Sequence, residues 1–276
     1  MSTHDDDMGG DPACWAHLFD ADENENETDA EAQPRPPGAV VLQLSDVHFT
    51  RAPDGDVGGV EPVGRLRAVL DRWRRTGWTA DLVLLTGDNA EDGSIEAYRR
   101  LHEALLPLGA PILAIAGNHD DRQEQEKVFG PAVPAEVGSW RVVGLTSAVP
   151  GQIHGAIDAA AVARQLDGLD DRPTVVAIHH PPVSRSTHEW FRLDGGAELL
   201  AVLAERPHVR TLVSGHLHDV FELAGPGHLA LLGAPSALVA IGHRGDTFEI
   251  GVDAPAGARV LHLADDGTCS STLLEA

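Results

Sequence analysis

Short apolar runs alternate along this chain with longer stretches in which apolar residues recur every three or four positions. The runs at 39–44, 82–85, 112–116, 142–145, 175–178 and 211–213 are strand-length and rich in Val, Leu and Ile. Near-continuous apolarity of this kind predicts strands covered on both faces. Between them, 63–73, 95–106, 159–169 and 196–206 read as helices. In the first of these, Val63, Leu66, Leu70 and Trp73 make one apolar face, while Arg65, Arg67 and Arg72 can reach water. Beyond Asp219 the runs 220–223, 229–232, 237–241, 247–252 and 258–263 follow one another across turn-length gaps, which predicts antiparallel sheet. The alternation as a whole predicts a layered α/β domain over 39–276.

Residues 1–38 break this pattern. They carry eleven acidic residues and one basic residue, Arg35, and so hold ten of the 23 excess negative charges. Like charges at that density resist compaction, and few apolar residues are present to offset the ordering entropy. The stretch reads as a disordered acidic tail ending at Pro34, Pro36 and Pro37, with one apolar island at Trp15, Leu18 and Phe19.

Charge narrows the partners. With 43 acidic residues against 20 basic ones, the surface repels phosphate backbones and anionic membranes, so stable nucleic-acid and membrane binding are not expected. Two cysteines, Cys14 and Cys269, are too few for a disulfide framework. No signal-like apolar segment opens the chain, and the expected location is cytoplasmic.

Chemistry enters where the strands end. Ser45-Asp46-Val47-His48 follows the first run, Gly87-Asp88-Asn89 the second and Gly117-Asn118-His119-Asp120 the third. His179-His180-Pro181-Pro182 and Gly215-His216-Leu217-His218 follow two later ones. In an α/β sheet the loops beyond the carboxyl ends of the strands form the ligand crevice, so five tails spanning some 170 positions can converge. Carboxylate, carboxamide and imidazole make a mixed oxygen and nitrogen donor set without thiolate, which suits Mn, Fe, Zn or Co. An ion held by such a set would acidify a bound water and make it nucleophilic.

The combination of DxH, GD, GNHD, His before Pro and GHxH resembles the calcineurin-like metallophosphoesterases over roughly residues 40–263. The resemblance implies a four-layer α/β/β/α sandwich of mixed sheets with an antiparallel C-terminal part and two transition-metal ions at the strand ends. It implies one ion on Asp46, His48, Asp88 and His218, and another on Asp88, Asn118, His179 and His216, with Asp88 bridging. If the register differs by one, His180 takes the place of His179. His119 would face the phosphate with Asp120 setting its orientation, Asn118 would touch substrate as well, and His154 would line the substrate mouth.

Departures from relatives narrow the reaction. Purple acid phosphatases carry a metal-binding Tyr three residues after the bridging Asp, where this chain has Glu91. Protein phosphatases continue to Asp-Arg-Gly; here Asp88 is followed by Asn-Ala-Glu-Asp-Gly-Ser, without the Arg that clamps a dianionic monoester. A diester carries one fewer charge. The pattern is most similar to bacterial class III cyclic-nucleotide phosphodiesterases, which implies hydrolysis of 3',5'-cyclic AMP by a metal-bridging hydroxide. The alternatives are a broad-specificity phosphodiesterase or phosphatase on another small phosphoester, and a non-catalytic metal-binding scaffold. The C-terminal strands offer a homodimer contact.

Overall fold

Residues 34–276 are described by a computed structural model, and the acidic stretch with its Trp15, Leu18 and Phe19 island lies almost wholly outside them. Arg35, inside them, donates to Thr79 Oγ1 at 3.0 Å and to Asp81 Oδ2 at 2.5 Å.

The first sheet sets three parallel strands side by side, β1 (Ala39–Leu44), β2 (Leu82–Thr86) and β3 (Ile112–Ile115). Beyond β1 the sheet continues with β14 (Gly257–Leu263) and β15 (Cys269–Glu275), each antiparallel to its neighbour. Helices α1 (Pro62–Arg74) and α2 (Ile95–Leu105) make the crossovers. Pro62 sits in the first turn of α1, where its missing N–H costs nothing, and Ser94 caps α2 by accepting from the Ala97 N–H.

The second sheet runs in the order β10, β11, β9, β7, β5, β4. Its parallel centre is β5 (Trp140–Gly144), β7 (Thr174–Ile178), β9 (Val209–Ser214) and β11 (Ala230–Gly233). Short antiparallel strands β4 (Ala135–Val137) and β10 (Phe221–Ala224) close its edges. Helices α4 (Ala159–Asp167) and α5 (Gly196–Ala204) pack on its outer face. Two small pairs complete the picture: β6 (Gly155–Ala156) with β8 (Leu193–Asp194), and the hairpin of β12 (Ala240–Arg244) and β13 (Thr247–Gly251).

The two-residue side-chain period of a strand produces the layers. Val40, Leu42 and Leu44 turn outward to Leu66, Leu70, Tyr98 and Leu101 of α1 and α2. Val41 turns inward with Leu84 and Ile115 to meet Trp140, Val142, Val175 and Val213 of the other sheet. The outcome is the expected α/β/β/α sandwich. No helix among the described residues is long and apolar enough to cross a membrane.

Three features depart from the sequence pattern. Helix α3 (Arg122–Phe129) has no apolar stripe to announce it; Asp121 caps it, accepting from the Gln123 and Glu124 N–H groups. The C-terminal strands do form antiparallel pairs, but these are shared among three sheets, and β11 also lies parallel to β9. Strand β15, with alternating exposure and Ser and Thr in its middle, carries too little apolarity to stand out.

Candidate metal centre

Because β1, β2, β3, β7 and β9 are parallel within their sheets, their carboxyl ends reach one rim. Backbone hydrogen bonds stitch the emerging loops together. The Asp46 N–H donates to Gly87 O at 3.0 Å, the His48 N–H to Asp88 O at 2.9 Å, and the Gly215 N–H to His179 O at 3.1 Å. The His216 N–H points at both Asp46 oxygens, 3.1 Å away. Glycines make this closeness feasible: a Cβ on Gly87 would collide with the His179 ring, and one on Gly215 with Ser45 and Asp46. Among the described residues, the non-glycine residues with positive φ are Asp46, His48, Asp88, His216 and His218. Each left-handed L-residue costs about 1–2 kcal/mol. That strain falls on expected ligands and nowhere else in the described chain.

The ring nitrogens show what this arrangement is for. His218 Nδ1 donates to Val239 O at 2.8 Å, His179 Nδ1 to Thr86 O at 2.8 Å, and His48 Nδ1 to a Glu91 carboxylate oxygen at 2.7 Å. Each of these bonds leaves Nε2 with its lone pair facing the rim. His48 Nε2 and His218 Nε2 then stand 3.3 Å apart, and His218 Nε2 is 3.2 Å from Asp46 Oδ1. His179 Nε2 is 3.1 Å from Asn118 Oδ1 and 3.4 Å from Asp88 Oδ2, while His48 Nε2 is 3.9 Å from that same Asp88 oxygen. Lone pairs converge on lone pairs in two adjoining groups that share Asp88. Only cations reconcile such a set, so the residues present fit metal ions.

Protons compete for the same lone pairs. Burial alone would lower the His179 pKa, but the charges of Asp88 and Asp46 raise it to about 9. His218 rises against burial in the same way, through Asp46. Burial would raise Asp46, yet His218 and then His179 bring it down to about 2, and Asp88 is held well below the carboxylate range by His179 and His48. His216 goes the other way: burial, then the His179 charge, pushes it down to about 3. It donates from Nε2 to Trp190 O at 2.9 Å, which leaves Nδ1 for a cation.

A sequence model of the calcineurin-like phosphoesterases matches residues 39–220. The chain belongs to that family. The 3',5'-cyclic adenosine monophosphate phosphodiesterase CpdA of Pseudomonas aeruginosa is 34% identical over 238 residues, covering 83% of this chain and 86% of its own length. The protein of the same name from Escherichia coli K12 is 31% identical over 242 residues, 84% of this chain and 87% of its own. A dimetal phosphatase from Danio rerio superposes with a TM-score of 0.61 over 87% of this chain and 99% of its own, at 12% identity, a likeness of fold. This calcineurin-like phosphoesterase is a metal-dependent phosphoester hydrolase, and His and Asp side chains that could hold metal cluster at its rim.

The remaining expected residues of the phosphoesterase take distinct places. His180 packs against His179 and His216, but both of its nitrogens are engaged, Nδ1 with Ser147 Oγ and Nε2 with Ile153 O, each at 2.9 Å. Burial and the neighbouring His216 and His179 lower its pKa to about 2, so it stays neutral. His119 lies at the mouth, with its N–H on Asp88 Oδ1 at 2.9 Å and its Nδ1 3.3 Å from Glu91 Oε2. The expectation that Asp120 orients this ring does not match its placement. Asp120 is turned inward and accepts from the N–H groups of Gly117, Asn89 and Ala90 and from the Tyr98 hydroxyl. His154 belongs to none of the ligand clusters; its Nε2 is 3.9 Å from Asp194 Oδ2.

Several contributors escaped the sequence. Glu91, noticed only as a mismatch with purple acid phosphatases, braces His48 and contacts His119. Burial would raise its pKa, but the hydrogen bond and charge of His48 hold it below the ordinary value. Ser236 donates to Asp46 O at 2.9 Å and accepts from the Leu238 and Val239 N–H groups. The carbonyls of Thr86, Trp190 and Val239 belong to the backbone, so no residue type could signal them.

Proposed function

We propose that this phosphoesterase hydrolyses the phosphodiester bond of 3',5'-cyclic nucleotides, cyclic AMP foremost, on a two-ion centre of Mn, Fe or Zn. The observation that carries this reading is the convergence of the Asp46, His48, Asp88, Asn118, His179 and His218 donor atoms on one rim. Two relatives named as cyclic AMP phosphodiesterases, each matched over most of its length, support the substrate class. The lack of an Arg after Asp88 to clamp a monoester dianion supports a diester.

One ion would be held by Asp46, His48, Asp88 and His218, the other by Asp88, Asn118, His179 and His216. His179 is favoured over His180 because Ser147 and Ile153 already occupy both His180 nitrogens. When bound, such ions neutralise charge developing on the phosphoryl oxygens and make water nucleophilic. The chain's own residues do the rest. Asn118 and His119 present their polar groups to the phosphoryl oxygens; His119, half-exposed, sets Nδ1 against the Glu91 carboxylate and carbonyl, so donation to the leaving alkoxide from Nε2 would come from its imidazolium form. Asp120 holds the two loops together rather than orienting the ring.

The test is turnover of cyclic AMP and of bis(p-nitrophenyl) phosphate by the full chain supplied with Mn²⁺. Cleavage of both supports the reading; cleavage of the model diester alone favours a broad-specificity esterase. Cleavage of neither by protein that retains its metal returns the scaffold alternative.

A further inference from the structure

We propose that Tyr98, the chain's one tyrosine, is a positioning residue for the Asn118 half of the metal centre. The inference rests on the two-ion reading above. Tyr98 is fully buried on α2 and lies outside every motif that marks the site.

Its hydroxyl joins four segments. It donates to Asp120 Oδ1 at 3.0 Å and accepts the Asp121 N–H at 2.8 Å, where α3 begins. The Asp120 carboxylate gathers the Gly117 N–H at 2.8 Å, just before Asn118, and the Asn89 and Ala90 N–H groups at 3.1 and 2.9 Å, just after Asp88. The Asp88 loop and the Asn118 loop are therefore fastened to one carboxylate, and the hydroxyl fixes that carboxylate to α2. Placement of Asn118 Oδ1 against His179 Nε2 depends on this fastening. The other half of the centre is braced elsewhere, by Ser236 beneath Asp46 and by Val239 O behind His218. A phenylalanine at 98 keeps the packing, but it leaves the Asp121 N–H without this partner and the Asp120 carboxylate short of one donor.

The test is calorimetric titration of the metal-stripped full chain with Mn²⁺, comparing wild type, Tyr98→Phe and Asn118→Ala. The expected result is that Tyr98→Phe weakens about tenfold the same binding event that Asn118→Ala removes, and leaves the other event within about twofold. In kinetics on bis(p-nitrophenyl) phosphate, kcat should fall about tenfold while KM stays within about twofold. A merely structural tyrosine would lower the melting temperature without separating the two events, so unchanged affinities, or equal weakening of both, overturn the proposal. If Tyr98→Phe does not fold, Asp120→Asn must show the same selective loss, and its failure to do so overturns the proposal equally. Wild type that binds two ions and cleaves no diester defeats the proposed function but not this inference, because the titration needs no substrate.

Discussion

The rim and the β14–β15 ribbon belong to one sheet sandwich and are built on opposite terms. In the ribbon, seven residue pairs run from Gly257 opposite Glu275 to Leu263 opposite Cys269 with no register break. Its one buried charge, Arg259, is fully answered by Glu222, Ser271 and the Phe221 and Gly233 carbonyls. At the rim, five L-residues sit in the left-handed region and bare imidazole nitrogens crowd carboxylates. The ribbon pairs regularly and answers its buried guanidinium, whereas the rim tolerates left-handed backbone and donor atoms crowded on one another. Stability and function are thus segregated along the strands, with regular pairing in the middle and ligands at the ends.

The harshest way to break the comparison is to remove the shared carboxylate. Asp88→Ala should abolish binding of both ions and lower diester turnover on the order of a thousandfold or more; near-normal turnover would show that the two groups are not joined through Asp88. Milder is Glu91→Gln, which keeps a hydrogen bond to His48 but removes the charge behind it. Metal affinity should drop roughly 10- to 100-fold by equilibrium dialysis, with the melting temperature of metal-free protein little changed.

Titration sharpens the contrast next. His179 has a folded pKa of about 9, above its ordinary 6.5, so its stabilisation of metal-free protein is complete below about pH 6.5 and lost as pH rises through 9. His180 and His216 have folded pKa values of about 2 and 3, so they favour the folded state above pH 6.5 and oppose it as pH falls. Urea melts of stripped protein should therefore show stability falling between pH 6.5 and 9 by something of order 2 kcal/mol, and saturating Mn²⁺ should remove that slope. A flat profile without metal would contradict the charge pattern assigned to the rim.

The smallest effect is the most diagnostic of strain. At position 218, Gly should be more stable than Ala by about 1 kcal/mol in metal-free protein, since only the Ala variant retains a Cβ in the left-handed region. At Val260 in the ribbon the order should reverse, with Gly less stable than Ala by roughly 0.5–1 kcal/mol. The same sign at both positions would mean that no strain is stored at the rim.

Much of the site was legible because each expected ligand directly follows an apolar run. A strand's end is visible in sequence, and so is the residue type that comes after it. Glu91 and Tyr98 were not legible in the same way: each works through a neighbour brought close by folding, and neither has a spacing of its own. Asp120 was visible but misread, since a carboxylate beside His119 in sequence can turn either outward to the ring or inward to the loops. Helix α3 was hidden by its polar composition and held by a cap.

By itself the sequence determined the order of the main buried strands and of the amphipathic helices between them, and the donor chemistry at the strand ends, because periodicity and immediate covalent neighbours set both. The tertiary structure alone decided that β14 lies against β1 and that β11 runs parallel to β9. It also decided which nitrogen of each histidine faces the rim. Those choices depend on contacts such as His48 with His218, 170 positions apart, or His179 with the Thr86 carbonyl. Their energies come from whichever group folding brings to hydrogen-bond distance, and a local pattern does not encode that group.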